Sequence, residues 1–172
     1  KLPDEISEFS GLIAKALLAS NSNISKVALD LGVEGQYRIR KLELIGGVPG
    51  FVSVHRENGM VFKLDISKVY FSPRLATERA RVSNLVVSGE KILDAFAGAA
   101  PFSVTLARRG GRVTAVDANP DSEKWAHDNF HLNHISVSDY DFICSRIEDT
   151  VADLDKYDRI IMNNPTKSLS YV

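Results

Sequence analysis

Two short apolar runs of the sequence end in an acidic residue, which is where an α/β protein places groups that contact a ligand. The first run, 91–94, ends in Asp94 and leads through small residues around Gly98 to Pro101. Gly98 would let the backbone approach a ligand closely, and Pro101 suits the first turn of a helix whose free N–H groups bind a carboxylate or phosphate. Ligands of open α/β sheets bind at such strand ends. The alternative is a plain tight turn from strand to helix.

The second run, 112–116, is followed by Asp117. A carboxylate at this position can accept hydrogen bonds from the hydroxyls of a ribose, and its alternative role is to cap a helix that begins near Pro120, for which Asn119 would serve as well. The sequence lacks G-x-G-x-x-G and the P-loop pattern, so a dinucleotide site is disfavoured. Asp94, Gly98 and Asp117 together indicate a cofactor with a nucleoside but no pyrophosphate, a description that S-adenosylmethionine fits.

A third apolar run, 159–162, ends in Asn163-Asn164-Pro165. The side-chain amide of an Asn and a backbone carbonyl fixed by Pro can offer acceptors to a ring or exocyclic nitrogen of a base while that nitrogen is alkylated. Taken alone, Asn-Asn-Pro is a turn. Its place at a third strand end favours the functional interpretation.

The segment 68–81 combines aromatic and basic residues. Tyr70 and Phe71 are candidates for stacking on a base, and Arg74 and Arg79 for holding a phosphate or carboxylate. The alternative is an interdomain linker followed by a helix in which Glu78 pairs with a neighbouring cation. Both interpretations are compatible with the sequence.

The elements that carry these residues alternate as they do in an α/β domain. Helices over 101–109 and 121–133 separate strand-like runs, and this β-α-β order with its crossover lengths favours a parallel sheet. The strand-like runs are 91–94, 112–116, 140–143 and 159–162.

The first part of the chain reads as α+β. An amphipathic helix is predicted over 3–19, and Asn58-Gly59 predicts a type I′ hairpin because both residues tolerate positive φ. We expect an antiparallel sheet in this part and a helix over 75–86 that opens the second part. The strand-like runs of the first part are 27–31, 37–45, 51–55 and 60–66.

The composition excludes several classes of protein. The 172 residues are 44% hydrophobic and 25% charged with a net charge of −1, which argues against a disordered or collagen-like chain. The single Cys144 excludes an intramolecular disulfide, and we expect it to be a buried small hydrophobe. No apolar run approaches the roughly 18 to 20 residues of a membrane span, so we expect a cytoplasmic protein.

The charge is divided unevenly along the chain. Residues 1–85 carry 12 basic and 9 acidic side chains, whereas residues 86–172 carry 9 and 13. His127, His131 and His134 share one face of a predicted helix, which we interpret as a solvated face rather than a metal site because no fourth ligand has matching spacing. We therefore expect no metal.

Several runs of this sequence together resemble one family, the archaeal/eukaryotic-type tRNA (guanine-37-N1)-methyltransferases with the related wybutosine-synthesis enzymes. The similarity extends over nearly the whole chain, and Phe-Ser-Pro-Arg-Leu before the loop at Asp94 is its most specific part. The runs that carry it are 33–35, 37–43, 57–59, 68–75, Glu78-Arg79, 94–98 and Met162-Asn163.

The resemblance implies a Rossmann-like S-adenosylmethionine-dependent methyltransferase domain over 73–172, incomplete at its C-terminal end, preceded by a small α+β domain over 1–72. It implies S-adenosyl-L-methionine as cofactor and tRNA, contacted at its anticodon loop, as partner, with a monomer compatible with the sequence. Because the chain begins at Lys1 and ends after a strand-like run, we expect it to be part of a longer protein.

The resemblance also implies roles for individual residues. Arg74 and Glu78 would position the guanine and help to remove its N1 proton, and Asn163 and Pro165 would form the site of the target base. Ala100 stands where the family usually has a second glycine, so that its methyl group would lie near the cofactor, and Ser145-Arg146 stands where the family usually has an acidic residue. The residues implied in cofactor binding are Ser72, Arg79, Asp94, Phe96, Gly98, Asp117, Ala118, Ser145, Arg146 and Asn163.

Three functions remain open at this point. Methylation of N1 of guanosine 37 is favoured by Asn163-x-Pro165. Transfer of the aminocarboxypropyl group of the same cofactor at the same tRNA position is the nearest alternative, and a catalytically silent tRNA-binding module is the third.

Overall fold

The computed structural model describes residues 2–164 of the chain. Its α-helices are α1 (Ser10–Ser20), α2 (Ala76–Ser83), α3 (Pro101–Ala107), α4 (Pro120–Leu132) and α5 (Ile147–Thr150). Short 3-10 helices span Asp4–Phe9, Pro73–Leu75 and Val151–Asp153. The strands are β1 (Lys26–Glu34), β2 (Ile39–Gly47), β3 (Val52–Glu57), β4 (Met60–Asp65), β5 (Lys91–Asp94), β6 (Arg112–Asp117), β7 (Tyr140–Cys144) and β8 (Arg159–Ile161).

The second part of the chain forms a parallel sheet, as predicted. Its four strands lie in the order β7-β6-β5-β8, and helices α3 and α4 provide the crossovers from β5 to β6 and from β6 to β7. The chain then crosses to the other side of β5 to add β8. The strand order therefore reverses beside β5, and a crevice forms at such a switch point outside the carboxyl ends of the strands. This is the Rossmann-like α/β architecture.

The predicted hairpin at Asn58-Gly59 is confirmed. Both residues have positive φ, 48° and 75°, and they join β3 to β4 in an antiparallel pair. Met60, Phe62 and Leu64 alternate along β4 and are no more than 6% exposed, because this face of the hairpin belongs to the same hydrophobic core as the residues of α3 and α4.

Helix α4 also covers the free edge of β4. The side-chain amide of Asn133 accepts a hydrogen bond from the N–H of Val61 at 2.9 Å and donates one to its C=O at 2.7 Å, and Asn129 Oδ1 accepts from the N–H of Lys63 at 2.7 Å. Two side chains therefore take the place of a neighbouring strand, and the backbone groups that an edge strand leaves open are satisfied.

The antiparallel strands form two separate two-stranded sheets rather than one. The first, β1–β2, packs on α1, where Ala14 is the fully buried residue, and a Cβ added at Gly46 would lie 2.9 Å from the Cβ of Ala14. The second sheet is β3–β4. A division of the chain at residue 72 stays a prediction, although β3–β4 shares its core with the parallel sheet.

Some expectations need correction. Cys144 is exposed rather than buried, because it ends β7 at the edge of the parallel sheet. The predicted helix at 3–19 begins as a 3-10 helix and becomes α-helical at Ser10, and the helical turns over 147–153 carried no clear periodic signal. Among the described residues, no helix combines the length and apolar character of a membrane span.

Candidate functional site

A cavity of about 490 Å³ opens at the carboxyl ends of the parallel strands. Its wall is built by four segments that follow the strands of this sheet and by two that come from the first part of the chain. Those after the strands are 95–98 with Pro101, then 117–118, 146–148 and 163–164; those from the first part are 35–38 and 70–72 with Leu75 and Arg79. The cavity lies where the strand order reverses, as expected for an α/β sheet.

Asp94 lies behind this wall rather than on it. Its carboxylate is fully buried, Ser103 Oγ donates to Oδ2 at 2.7 Å, and Oδ1 has no hydrogen-bond partner within residues 2–164. Burial raises the pKa of Asp94 to about 6, and the hydrogen bond from Ser103 opposes that rise. The backbone amides of Phe96 and Ser103 also act on this carboxylate and lower its pKa, so Asp94 holds the loop after β5 from behind the cavity wall.

Gly98 and Asp117 are joined directly. The N–H of Gly98, a residue with φ of +56°, donates to Asp117 Oδ2 at 2.7 Å. A Cβ at Gly98 would lie 3.4 Å from the carbonyl oxygen of Tyr70, so this loop passes close to the opposite wall. The positive φ of Gly98 suits a residue without a Cβ, and the predicted close approach of this backbone to a ligand stays a prediction.

The carboxylate of Asp117 lines the cavity and also closes a turn. Its Oδ1 accepts from the N–H of Asn119 at 2.9 Å and from Ser122 Oγ at 3.1 Å. Asn119 is the N-cap of α4, which leaves Asp117 available for a ligand. Burial raises the pKa of Asp117, and the amides of Asn119 and Gly98 oppose that rise. A carboxylate has about four acceptor positions, and the hydrogen bonds from Gly98, Asn119 and Ser122 use three of those of Asp117. The fourth can accept a hydrogen bond from one ribose hydroxyl. A second hydroxyl would have to share an acceptor position with the N–H of Gly98.

The segment before α2 forms the wall opposite this loop. Phe71 and Ser72 face the cavity, and the buried guanidinium of Arg79 donates to the carbonyl oxygen of Ser72 at 3.1 Å. Ser72 and Arg79 are thus brought to the cavity, together with Phe96, Ala118 and Asn163. Ala100, by contrast, is completely buried in the hydrophobic core with φ of 61°, and its methyl group does not line the cavity.

Arg146 also lines the cavity, whereas Arg74, Glu78 and Ser145 do not. Arg74 is exposed, and Glu78 accepts two hydrogen bonds from Arg81, at 2.8 and 2.7 Å, on the outside of α2. The hydrogen bond from Arg81 also lowers the pKa of Glu78. Ser145 lies beside the wall and donates to the carbonyl oxygen of Arg146 at 3.3 Å. Pro165 lies outside the described residues.

Two groups of wall residues were missed by the sequence analysis. Gly35, Gln36, Tyr37 and Arg38 form the turn between β1 and β2 and line the cavity. All but Gln36 lie within the runs that carry the family resemblance, which was the available signal. Glu148 also lines it and pairs with Arg146, the Nη2 to Oε1 distance being 2.9 Å. Glu148 thus supplies a carboxylate two residues after Arg146, close to the place where the family usually has an acidic residue. A motif alignment without an offset does not find it.

The wall has mixed charge. Arg38, Arg79 and Arg146 contribute three cations, and Asp117 and Glu148 contribute two carboxylates. Such a wall suits a ligand that carries both signs of charge and polar hydroxyls. Among residues 2–164 no cluster of His, Cys, Asp or Glu is arranged to hold a metal ion, and His127 instead contacts the hydroxyl of Tyr140 at 3.1 Å.

A second cavity of about 460 Å³ lies between α2, α3 and the tip of the β3–β4 hairpin. Its hydroxyl groups are occupied: Ser83 Oγ donates to the carbonyl oxygen of Ala80 at 2.9 Å, and Thr105 Oγ1 donates to that of Pro101 at 2.6 Å. The described residues that line it include no carboxylate, and it lies away from the strand ends. The cavity at the strand ends is therefore the better candidate site.

Comparison with known proteins gives consistent matches. The family model described as TRM5/TYW2 methyltransferase domain matches residues 53–172. A curated tRNA (guanine(37)-N(1))-methyltransferase, Trm5b from Pyrococcus abyssi, is 39% identical over 166 residues, which cover 96% of this chain and 49% of the relative.

Solved structures agree with these sequence matches. The complex of aTrm5 and tRNALeu is similar with a TM-score of 0.89 and 30% identity, covering 99% of this chain and 50% of that one. The structure of P. horikoshii TYW2 in complex with MeSAdo has a TM-score of 0.75 and 28% identity, covering 95% and 57%. The chain spans about half the length of these proteins.

Proposed function

The chain belongs to the TRM5/TYW2 methyltransferase domain family, and we propose that it takes part in transfer of a methyl group from S-adenosyl-L-methionine to N1 of guanosine 37 in tRNA. The observation that carries this proposal is the cavity at the strand ends, where Asp117 and the loop at Gly98 lie opposite Phe71, Ser72 and Arg79. The tRNA would be contacted at its anticodon loop, and we propose the cytoplasm as the place of the reaction.

The residues present fit this cofactor. Asp117 has one acceptor position left for a ribose hydroxyl, and the backbone at Gly98 allows close approach. The cations of the wall suit a carboxylate, and its carboxylates suit an ammonium group. When bound, S-adenosylmethionine supplies an electrophilic methyl group carried by a sulfonium.

The protein's own part in the reaction is orientation and proton management. Guanine N1 carries a proton that must leave as the new bond to carbon forms. Asn163 would hold the base through its side-chain amide, with the carbonyl of Pro165 as a second predicted acceptor. The guanidinium of Arg38 has no hydrogen-bond or ion-pair partner within the described residues and would donate to the acceptor edge of guanine.

We propose that Arg74 and Glu78 position the guanine and help to remove its N1 proton. Glu78 would first have to break its pair with Arg81, because that pair engages both oxygens of the carboxylate and lowers its basicity. We expect Glu78→Gln to lower the rate of methyl transfer only if this pair opens when RNA binds. An unchanged rate would assign proton removal to solvent or to another group.

Transfer of the aminocarboxypropyl group is the second candidate, since a TYW2 structure is similar to this chain over most of its length. Both reactions use the same cofactor and differ in which carbon bonded to the sulfonium is attacked. A single assay separates them: the protein is incubated with tRNA transcripts and S-adenosylmethionine labelled in the methyl or in the carboxyl group, and the nucleosides are analysed after digestion.

Methyl label in 1-methylguanosine is the result we expect. Carboxyl label in the nucleoside would show that the protein transfers the aminocarboxypropyl group instead of the methyl group. Absence of either label despite measurable tRNA binding would indicate a silent binding module, and the assay uses the full-length protein because this chain spans about half of its relatives.

The ribose assignment is tested by calorimetry. Asp117→Ala removes the acceptor and the anchor of Gly98, so we expect the affinity for S-adenosylhomocysteine to fall by roughly tenfold or more. Asp121→Ala is the matched control, because this carboxylate lies on the first turn of α4 and pairs with Lys68 at 3.0 Å outside the cavity. Equal affinities of the Asp117 variant and the wild type would refute the assignment.

A further inference from the structure

Glu57 makes a buried ion pair with a residue of the cavity wall but does not itself line the cavity. It ends β3, and its carboxylate accepts from Arg79 Nε at 2.5 Å and from Nη2 at 2.6 Å. The side chains of Arg79 and Glu57 are 1% and 5% exposed. This is a two-point pair, which fixes the plane of the guanidinium as well as its position.

The remaining contacts of Arg79 restrict it further. Its guanidinium carbon lies 5.2 Å from the ring centre of Phe71 and 5.8 Å from that of Phe102. Nη2 also donates to the carbonyl oxygen of Ser72 at 3.1 Å. Nε and Nη2 are thereby used, whereas Nη1 makes no hydrogen bond within residues 2–164. A guanidinium that lines a cavity with one nitrogen still unbonded has donors left for a ligand.

The carboxylate of Glu57 is held from a second side. His55 Nε2 lies 3.0 Å from Glu57 Oε2, and its ring centre lies 5.1 Å from that of Phe71. The network therefore links the second hairpin to the wall segment Phe71-Ser72. A buried guanidinium without a counter-charge would be strongly unfavourable, so loss of the Glu57 charge would drive Arg79 to seek another carboxylate or water.

We propose that Glu57 is a positioning residue that orients Arg79 so that its unbonded Nη1 is kept for a carboxylate on the ligand of the cavity. This proposal rests on the proposed function, in which that group is the carboxylate at the amino-acid end of the cofactor. Glu57 acts through Arg79 and touches neither the cofactor nor the RNA. Its effect is therefore specific to ligands that carry the carboxylate.

Two nucleosides that differ in this group provide the test. S-adenosylhomocysteine contains the amino-acid carboxylate, whereas 5′-methylthioadenosine lacks it, and the affinity of the full-length protein for each is measured by calorimetry. We expect Glu57→Gln to weaken binding of S-adenosylhomocysteine by roughly tenfold, as for a lost charge-assisted hydrogen bond, and to change binding of 5′-methylthioadenosine less than twofold.

Glu90→Gln is the matched control. Glu90 is 9% exposed in its side chain and accepts from Arg159 Nε at 2.7 Å, away from the cavity. This variant also breaks a largely buried ion pair, so we expect it to lower the melting temperature without changing the ratio of the two affinities. A stability effect alone is thereby separated from an effect on the ligand.

Glu57→Asp covers the case in which Glu57→Gln does not fold. It keeps the charge but shortens the side chain by one methylene, so the two-point geometry is lost and we expect an intermediate loss for S-adenosylhomocysteine alone. Equal losses for both nucleosides, or an unchanged ratio, would overturn the positioning role. If the wild type binds neither nucleoside, the proposed cofactor is wrong, and the proposed role of Glu57 is then wrong as well.

Discussion

The two β-hairpins that the structure describes differ in length and are held in different ways: the strands of β1–β2 have nine residues each and those of β3–β4 have six. β3–β4 has one face in the main core, where Phe62 and Leu64 are at most 1% exposed. β1–β2 packs mainly on α1, and Leu31 and Val33 are 46% and 45% exposed. The second hairpin anchors the wall through Glu57, whereas the first supplies the wall directly through its turn.

The cavity therefore has one firmly held side and one more loosely held side. The fixed wall keeps Arg79 oriented through buried contacts. The turn 35–38 is carried by a sheet with little buried surface, so its position relative to the rest costs less to change. We therefore expect the first hairpin to be the more mobile of the two and the second to keep the Arg79 side of the cavity fixed.

The largest effect is expected for Leu64→Ala in β4. Leu64 is 1% exposed, so its truncation leaves a cavity in the core, and we expect a loss of about 3 kcal/mol of unfolding free energy. Leu44→Ala in β2 is the matched change in the half-buried first hairpin, with an expected loss of roughly 1 kcal/mol. Urea unfolding of both variants gives the values, and similar losses would contradict the comparison.

Local signals in the sequence were sufficient for most elements. Asn58-Gly59 predicted the second hairpin because its turn chemistry is local, and the β-α-β alternation predicted the parallel sheet. The contacts of a hairpin with the rest of the protein depend on residues that are distant in sequence. Asn133 lies 72 positions from Val61, and no local pattern indicates that its amide replaces a strand.

Asn133→Ala removes the side-chain amide that takes the place of a neighbouring strand beside Val61. The backbone N–H and C=O of Val61 lose their partners at the edge of β4, and we expect a loss of about 2 kcal/mol in unfolding free energy. Asn21→Ala is the control, because Asn21 is exposed and its side-chain amide bonds the carbonyl of Leu17 in its own helix, with an expected change below about 0.5 kcal/mol. A loss as small as that of the control would mean that water satisfies Val61 equally well.

The candidate site was predicted in part for the same reason. Strand ends are visible in the sequence, so Gly98, Asp117 and Asn163 were found and lie on the cavity. The partner of Arg79 is 22 positions away on another element, and Glu78, its sequence neighbour, faces outward because adjacent helical residues point in different directions. The spacing of residues in the sequence does not determine the direction of a side chain or its pairing with a residue on another element.

Hydrogen exchange followed by mass spectrometry compares the stability of the two hairpins in the wild-type protein. Backbone amides of β1–β2 are expected to exchange at least roughly tenfold faster than those of β3–β4, because opening the first hairpin exposes less buried apolar surface. Addition of S-adenosylhomocysteine should slow exchange in β3–β4 and in the segment 70–79 more than in β1–β2. The reverse order of protection would show that the first hairpin is the firmly held one.

The smallest effect on stability is expected at Arg38, where the first hairpin reaches the cavity. Its guanidinium makes no hydrogen bond or ion pair within the described residues, so Arg38→Ala should change the unfolding free energy by less than about 0.5 kcal/mol. Loss of a donor aimed at the base should nevertheless slow methyl transfer by on the order of 10²-fold, measured in single-turnover assays. Arg40→Ala is the control, since Arg40 pairs with Asp30 outside the cavity and should leave transfer unchanged. Unchanged transfer in the Arg38 variant would restrict the first hairpin to a structural role and would leave the second hairpin and the strand ends as the whole site.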